Sequence, residues 1–237
     1  MKIVLLGYGK MGKEVEAIAL QRGHEIIARF DTSISPLDES TLSRGDVAIE
    51  FSQPDAAPKN IAMCVKLGLP VVVGTTGWYD RLAEVKALIE ENEGKVITAT
   101  NFSIGVHLFL LLNKWFASKM NGFSNYEIQV EETHHVHKKD APSGTAISIL
   151  EKIVEQIDSK IGWELNTSDS KKINVLAHRI DEVPGTHEVS YRSEVDEIQL
   201  IHTAHNRKGF AEGAVKAAEW LVNQNQGLYT MDDFLGQ

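Results

Sequence analysis

The chain opens on MKIVLLGYGKMG, and this stretch limits the possible folds more than any other. KIVLLG is a continuous apolar run ending at glycine, the pattern of a strand covered on both faces. Such a strand belongs inside a parallel sheet flanked by helices. The rest of the first half repeats the alternation. KEVEAIALQRG reads as a helix, HEIIARF and DVAIEF as strands, and PDAAPKNIAMCVKLG as a helix. PVVVGTT, YDRLAEVKALIEENEG and KVITATN continue as strand, helix and strand. Strand–helix–strand units repeated this often predict a Rossmann-type parallel sheet with crossover helices.

Beyond Asn101 the pattern changes. GVHLFLLLNKWFASKM reads as a long helix, and NYEIQVEET alternates strictly, as a strand with one better buried face does. A helix follows, with Ala146, Leu150, Ile153, Ile157 and Ile161 at spacings of three and four. KINVLAHRI, HEVSYRS and DEIQLIHTAH are strands of a second sheet, and FAEGAVKAAEWLVNQ is a closing amphipathic helix that can return to the first domain. The expected architecture is α/β. Residues 1–102 and 207–237 form the dinucleotide-binding domain. Residues 103–206 form a smaller α+β domain, with an open mixed sheet, for substrate binding and tetramerisation.

Net charge bounds the partners. At –9 the chain is a poor general ligand for nucleic acid or an anionic membrane. Its longest apolar run, VHLFLLL, is too short to span a bilayer. The single cysteine, Cys64, excludes an intrachain disulfide and fits a cytoplasmic setting. It lies in an apolar helical pattern and reads as a buried, inert thiol.

Gly7, Gly9 and Gly12 form G-x-G-x-x-G between a strand and a helix, the context in which this motif holds a pyrophosphate. Tyr8, Lys10 and Met11 fill the same loop. Asp31 follows the second strand, where a carboxylate accepts from an adenosine ribose. A carboxylate there repels a 2′-phosphate, so NADH is favoured over NADPH, although Arg29 and Lys10 can soften that preference. Gly74, Thr75 and Thr76 end the fourth strand. Thr100, Asn101, Phe102 and Ser103 end the fifth. Both sets lie at carboxyl ends of strands, where open α/β sheets bind ligands.

The segment EETHHVHKKDAPSGTA packs three histidines and two lysines before a helix start. It admits three roles. A metal centre would use His134 with His137, or His135 with Asp140, but the lysines nearby disfavour a cation. A solvated basic loop is the plainest alternative. An anion-binding and proton-transfer site uses everything present. His134 titrates near neutrality, Lys138 supplies charge, and Ser143 caps a helix whose Gly144 and Thr145 N–H groups receive a carboxylate.

This segment resembles the signature E-x-H-H-x-x-K-x-D-A-P-S-G-T of the dihydrodipicolinate reductase family. GTTG, NFS and NRKGFAEGA extend the resemblance over nearly the whole chain. The first loop departs from the family's G-A-x-G-R-M-G. The resemblance implies a homotetrameric NADH- or NADPH-dependent reductase of a small cyclic dicarboxylate, on the route to diaminopimelate and lysine. It implies His134 as proton donor, Lys138 as second donor, and His135, Gly144 and Thr145 as dicarboxylate ligands. No resident metal is expected, because of the lysines beside the histidines. Arg207 is a further candidate for substrate contact or for tying the domains together. Two other classes fit parts of the chain: another two-domain amino-acid dehydrogenase, or a non-catalytic NAD(H) sensor.

Overall fold

The computed structural model describes residues 1–31, 37–206 and 208–236. The chain divides into two compact units, Met1–Ile104 with Lys208–Gln237, and Gly105–Arg207.

In the first unit, β1 (Lys2–Leu6), β2 (Glu25–Phe30), β3 (Val47–Glu50), β4 (Val71–Val73), β5 (Lys95–Thr98) and β11 (Gly227–Tyr229) make one sheet in the order β11-β5-β4-β3-β1-β2. Every pairing is parallel. Ile3, Val4, Leu5 and Leu6 are essentially inaccessible to solvent, as expected of a strand covered on both faces. Ile3 and Leu5 face a core that includes Val15 and Ala19 of α1 (Lys10–Gln21) and Ala214 and Leu221 of α7 (Lys208–Leu221). Val4 and Leu6 face a second core with α3 (Ala57–Lys66) and α4 (Leu82–Glu91). The close approach of α7 depends on Gly213, where a Cβ would stand 1.7 Å from the Phe102 carbonyl oxygen. Sheet order reverses between β1 and β3, which opens a crevice at their carboxyl ends.

In the second unit, β6 (Glu127–His134), β7 (Gly162–Leu165), β8 (Lys172–Arg179), β9 (Gly185–Arg192) and β10 (Glu197–Ala204) order as β10-β9-β6-β8-β7. β6 pairs antiparallel with β9 and parallel with β8, so the sheet is mixed. Ile128, Val130, Val175, Val189 and Tyr191 pack under α5 (Ile104–Met120) and α6 (Gly144–Val154).

Several details differ from the sequence expectation. α6 ends at Val154, so Ile157 and Ile161 lie beyond the helix. Ile157 is buried, but Ile161 is 71% exposed and belongs to no apolar stripe. β7, β11, α2 (Glu39–Leu42) and α8 (Met231–Phe234) were not anticipated. All four are at most four residues long, too short for a periodic pattern to register. Among the described residues, no helix is long and apolar enough to cross a membrane.

Candidate active site

The switch-point crevice encloses about 970 Å³. Gly7, Tyr8, Gly9, Lys10 and Met11 form one wall, and Asp31, Phe51, Ser52, Asn60, Gly74, Thr75 and Thr76 line the rest. Gly7 has φ +96°, and a Cβ would stand 2.1 Å from the Phe51 carbonyl oxygen, so only glycine fits. At Gly9 a Cβ would meet nothing, which leaves the backbone open to a ligand. Gly12 acts by packing: a Cβ there would meet the Gly7 carbonyl oxygen at 2.3 Å. Gly9 is also the N-cap of α1, whose first N–H groups have no intrahelical partner. Volume, an open helix N-terminus and a glycine backbone together suit a dinucleotide.

The floor is braced by a buried carboxylate. Glu50 accepts from the Ser52 N–H at 3.1 Å and the Asn60 amide at 3.3 Å, while Ser52 N–H also donates to Thr75 Oγ1 at 2.8 Å. Burial raises the Glu50 pKa above the usual carboxylate range. Trp78 donates to the Thr75 carbonyl at 2.8 Å and fixes the GTTG turn from below. Thr100, Asn101, Phe102 and Ser103 follow β5, next to β4 in the sheet. Asn101 accepts from the Ser103 N–H at 2.7 Å. Phe102 is buried and meets Phe51 edge-on at 6.3 Å between ring centroids, so its side chain serves the core. Arg29, the cation placed near the ribose end by sequence, is ion-paired to Glu16 of α1.

The second unit carries the histidine cluster. Period-two alternation along β6 turns Ile128, Val130, Glu132 and His134 to its buried face. Glu132 is therefore a carboxylate in the core, and its partners come from three directions. Arg179 of β8 donates at 3.1 Å, and the Ser143 N–H donates to both carboxylate oxygens at 3.1 Å. His134 Nδ1 stands 3.4 Å from Glu132 Oε2, and His187 Nε2 stands 3.8 Å from it. The 3.4 Å approach is an ion-pair distance without hydrogen-bond geometry, since His134 Nδ1 has no hydrogen-bond partner. Ser143 Oγ meets His187 Nε2 at 3.2 Å and also caps α6 by accepting from the Ala146 N–H.

Burial lowers the pKa of both imidazoles. For His134, Glu132 opposes the effect, and the charges of Lys138 and Arg179 reinforce it. His187 is driven down to about 4 by burial and then by His134. Lys138 Nζ pairs with Asp140 at 2.8 and 2.9 Å, and that hydrogen bond lowers the Asp140 pKa. Gly144 is exposed at the first turn of α6, with Thr145 half-buried beside it. His135 is half-buried next to His134, and its Nδ1 has no hydrogen-bond partner. Glu132, His134 and His187 also hold their ligand atoms within 4.8 Å of one another, a spacing that metal sites share. Here the carboxylate is already engaged by a guanidinium and a backbone N–H, and Lys138 adds positive charge, a setting unfavourable to a cation.

Sequence reasoning singled out His134, His135, Lys138, Gly144 and Thr145, but not Glu132's partners Arg179 and His187. A signal existed. Glu132 sits at an inward position of an alternating strand, and a buried carboxylate needs donors. Arg179 and His187 occupy inward or terminal positions of the neighbouring strands. Arg207 lies outside the described residues.

Two family models divide the chain between them: dihydrodipicolinate reductase, N-terminus, over residues 1–102, and dihydrodipicolinate reductase, C-terminus, over 105–235. A 4-hydroxy-tetrahydrodipicolinate reductase of Christiangramia forsetii is 45% identical over 235 residues, covering 99% of this chain and 98% of the relative. One from Methanospirillum hungatei is 32% identical over 253 residues, with the same two coverages of 99% and 98%. The fold also matches a dipicolinate-bound dihydrodipicolinate reductase from Paenisporosarcina sp. TG-14, at TM-score 0.77 and 24% identity over 97% of each chain. Glycine crevice, histidine strand and capped helix thus occur in a chain whose full length is matched: it belongs to the dihydrodipicolinate reductase family.

Proposed function

We propose that this chain reduces 4-hydroxy-tetrahydrodipicolinate to tetrahydrodipicolinate, a step toward diaminopimelate and lysine. Family membership supports the reaction. The observation that supports the residue assignment is that His134 ends β6, Gly144 opens α6, and the N-cap Ser143 of that helix donates its N–H to Glu132, the carboxylate beside His134. A reduced nicotinamide dinucleotide, when bound, supplies the hydride. Gly7, Tyr8, Gly9, Lys10, Met11, Asp31, Gly74, Thr75 and Thr76 would hold it, with Gly12 letting α1 pack on the loop and Thr100, Asn101, Phe102 and Ser103 at the neighbouring strand end. Asp31 favours NADH, because a carboxylate beside the ribose repels a 2′-phosphate.

The protein's own groups then have three tasks. His135, Gly144 and Thr145 receive the substrate carboxylates, using imidazole and the N–H groups of a helix start. Lys138, held by Asp140 in the free protein, adds positive charge and serves as a second proton donor. His134 delivers the proton that balances hydride addition to the ring, after loss of the 4-hydroxyl as water. In the free protein, burial lowers the pKa of this imidazole and so favours its neutral form. A doubly charged anion beside it favours the protonated form. Substrate binding therefore loads the acid. A cytoplasmic homotetramer completes the assignment, supported by family membership and, for the compartment, by the lone thiol; light scattering tests the assembly.

Purified protein, synthetic substrate and NADH give a direct assay. His134→Ala should lower turnover by about 10²-fold or more with NADH affinity retained. Unchanged turnover would remove His134 from the chemistry. A protein that binds NADH but reduces nothing would favour a sensor.

A further inference from the structure

One ion pair at the edge of the nucleotide crevice is not used by the chemistry above. Glu16, in the middle of α1, accepts from Arg29 of β2 through both Nε and Nη2, and its other carboxylate oxygen accepts from the Tyr8 hydroxyl. The Arg29 guanidinium also stands 5.7 Å from the centroid of the Tyr8 ring, with Lys13 at 5.9 Å from it. Tyr8 is the second residue of the glycine loop and lines the crevice, as does Asp31, two residues beyond Arg29.

The Glu16 side chain is 13% exposed and that of Arg29 37%, so solvent screens this pair only in part. The hydrogen bond to Glu16 raises the Arg29 pKa, and the reciprocal bond lowers that of Glu16. The pair is thus charged on both sides. Arginine is the residue suited to a 2′-phosphate, through its planar fork of donors. Here that fork is turned onto Glu16.

We propose that Glu16 is a specificity-determining residue: by holding Arg29 against α1 and Tyr8, it withholds the one β2 cation that could receive the 2′-phosphate of NADPH, and so selects NADH. This inference rests on the dinucleotide assignment of the crevice and deepens it. Glu16 touches neither substrate nor the reacting atoms. Its effect is on the competition between two cofactors that differ by one phosphate.

The test is equilibrium binding of NADH and NADPH to the full chain, followed by nicotinamide fluorescence without substrate. Glu16→Ala should tighten NADPH by about tenfold, the scale of one charge-assisted hydrogen bond, and leave NADH nearly unchanged. Glu16→Gln, which keeps the shape and an acceptor for Tyr8, should move the ratio in the same direction by less and guards against a folding defect in the alanine variant. Adding Arg29→Ala to Glu16→Ala should return the NADPH:NADH ratio to the starting value. An unchanged ratio in both Glu16 variants, with NADH still bound, overturns the inference alone. A gain that survives Arg29→Ala also overturns it, because the gain would not come from the released guanidinium. If the unaltered protein binds neither nucleotide, the crevice assignment fails first and takes this inference with it.

Discussion

His134 and His187 meet edge to face, with ring centroids 5.0 Å apart and planes at 71°, and both direct a ring nitrogen toward the same carboxylate, that of Glu132. Pairing of β6 with β9 sets this meeting, since Glu132 lies directly opposite His187 in the ladder. The proposed proton donor is therefore placed by sheet register. Its immediate surroundings are buried and polar, a combination whose cost depends on every donor finding an acceptor.

Glu132 gives the sharpest stability prediction. Glu132→Ala strips Arg179 of its carboxylate and the Ser143 N–H of its acceptor. Breaking a buried pair from one side should cost about 3–5 kcal/mol. Glu132→Gln keeps an acceptor for Ser143 and should cost about 1–3 kcal/mol. Urea unfolding of the two variants should reproduce this order; equal losses would contradict it.

His187 makes folding pH-dependent. Its pKa is near 6.5 when unfolded and about 4 in the folded chain. Below pH 6.5 the unfolded chain binds the proton more readily, so the contribution is fully present above that pH and is lost as pH falls to about 4. The full difference corresponds to about 3 kcal/mol. Urea midpoints taken from pH 7 to pH 4 should decline, and His187→Gln should flatten the decline. Carboxylates titrate in the same window, so the difference between the two proteins is the informative quantity.

Gly74 tests the crevice without touching its charges. A Cβ there would stand 2.1 Å from Cε1 and 2.2 Å from Cζ of Phe51, whose ring lines the crevice. Gly74→Ala should displace that ring at a cost of about 1–3 kcal/mol and weaken NADH binding by about tenfold or more. Fluorescence titration beside a thermal melt separates the two effects.

Cys64 should be silent in the folded protein. It is fully buried, and burial followed by the nearby charge of Glu50 pushes its thiol pKa up to about 12. A thiol reagent should label it only as fast as the chain opens, and denaturant should release one equivalent at once. Rapid labelling under native conditions would contradict the packing of α3.

Much of the fold could be read from periodicity. Continuous apolar runs such as VLL and VVV marked the buried parallel strands, and strict alternation in β6 marked a sheet with unequal faces. Gly7 and Gly9 were legible because backbone requirements are local. Strand register was not. Nothing in HEVSYRS says which residue of β6 will face His187, because partners far apart in sequence are matched by the whole sheet. The role of Glu16 was hidden for a related reason. Arg29 looked available beside Asp31, and only the packing of α1 on β2 shows its guanidinium already engaged. Ile161 misled in the opposite way, continuing a spacing after the helix itself had stopped.

β6 runs between β8 and β9, so the peptide groups leading to His134 are tied to a neighbour on either side. Such a strand has no frayed edge from which to peel. Amide protons around Thr133 should exchange with solvent only when the entire second unit melts. Proton delivery by His134, as proposed, would thus have the same lifetime as the sheet beneath it, failing all at once and never by degrees.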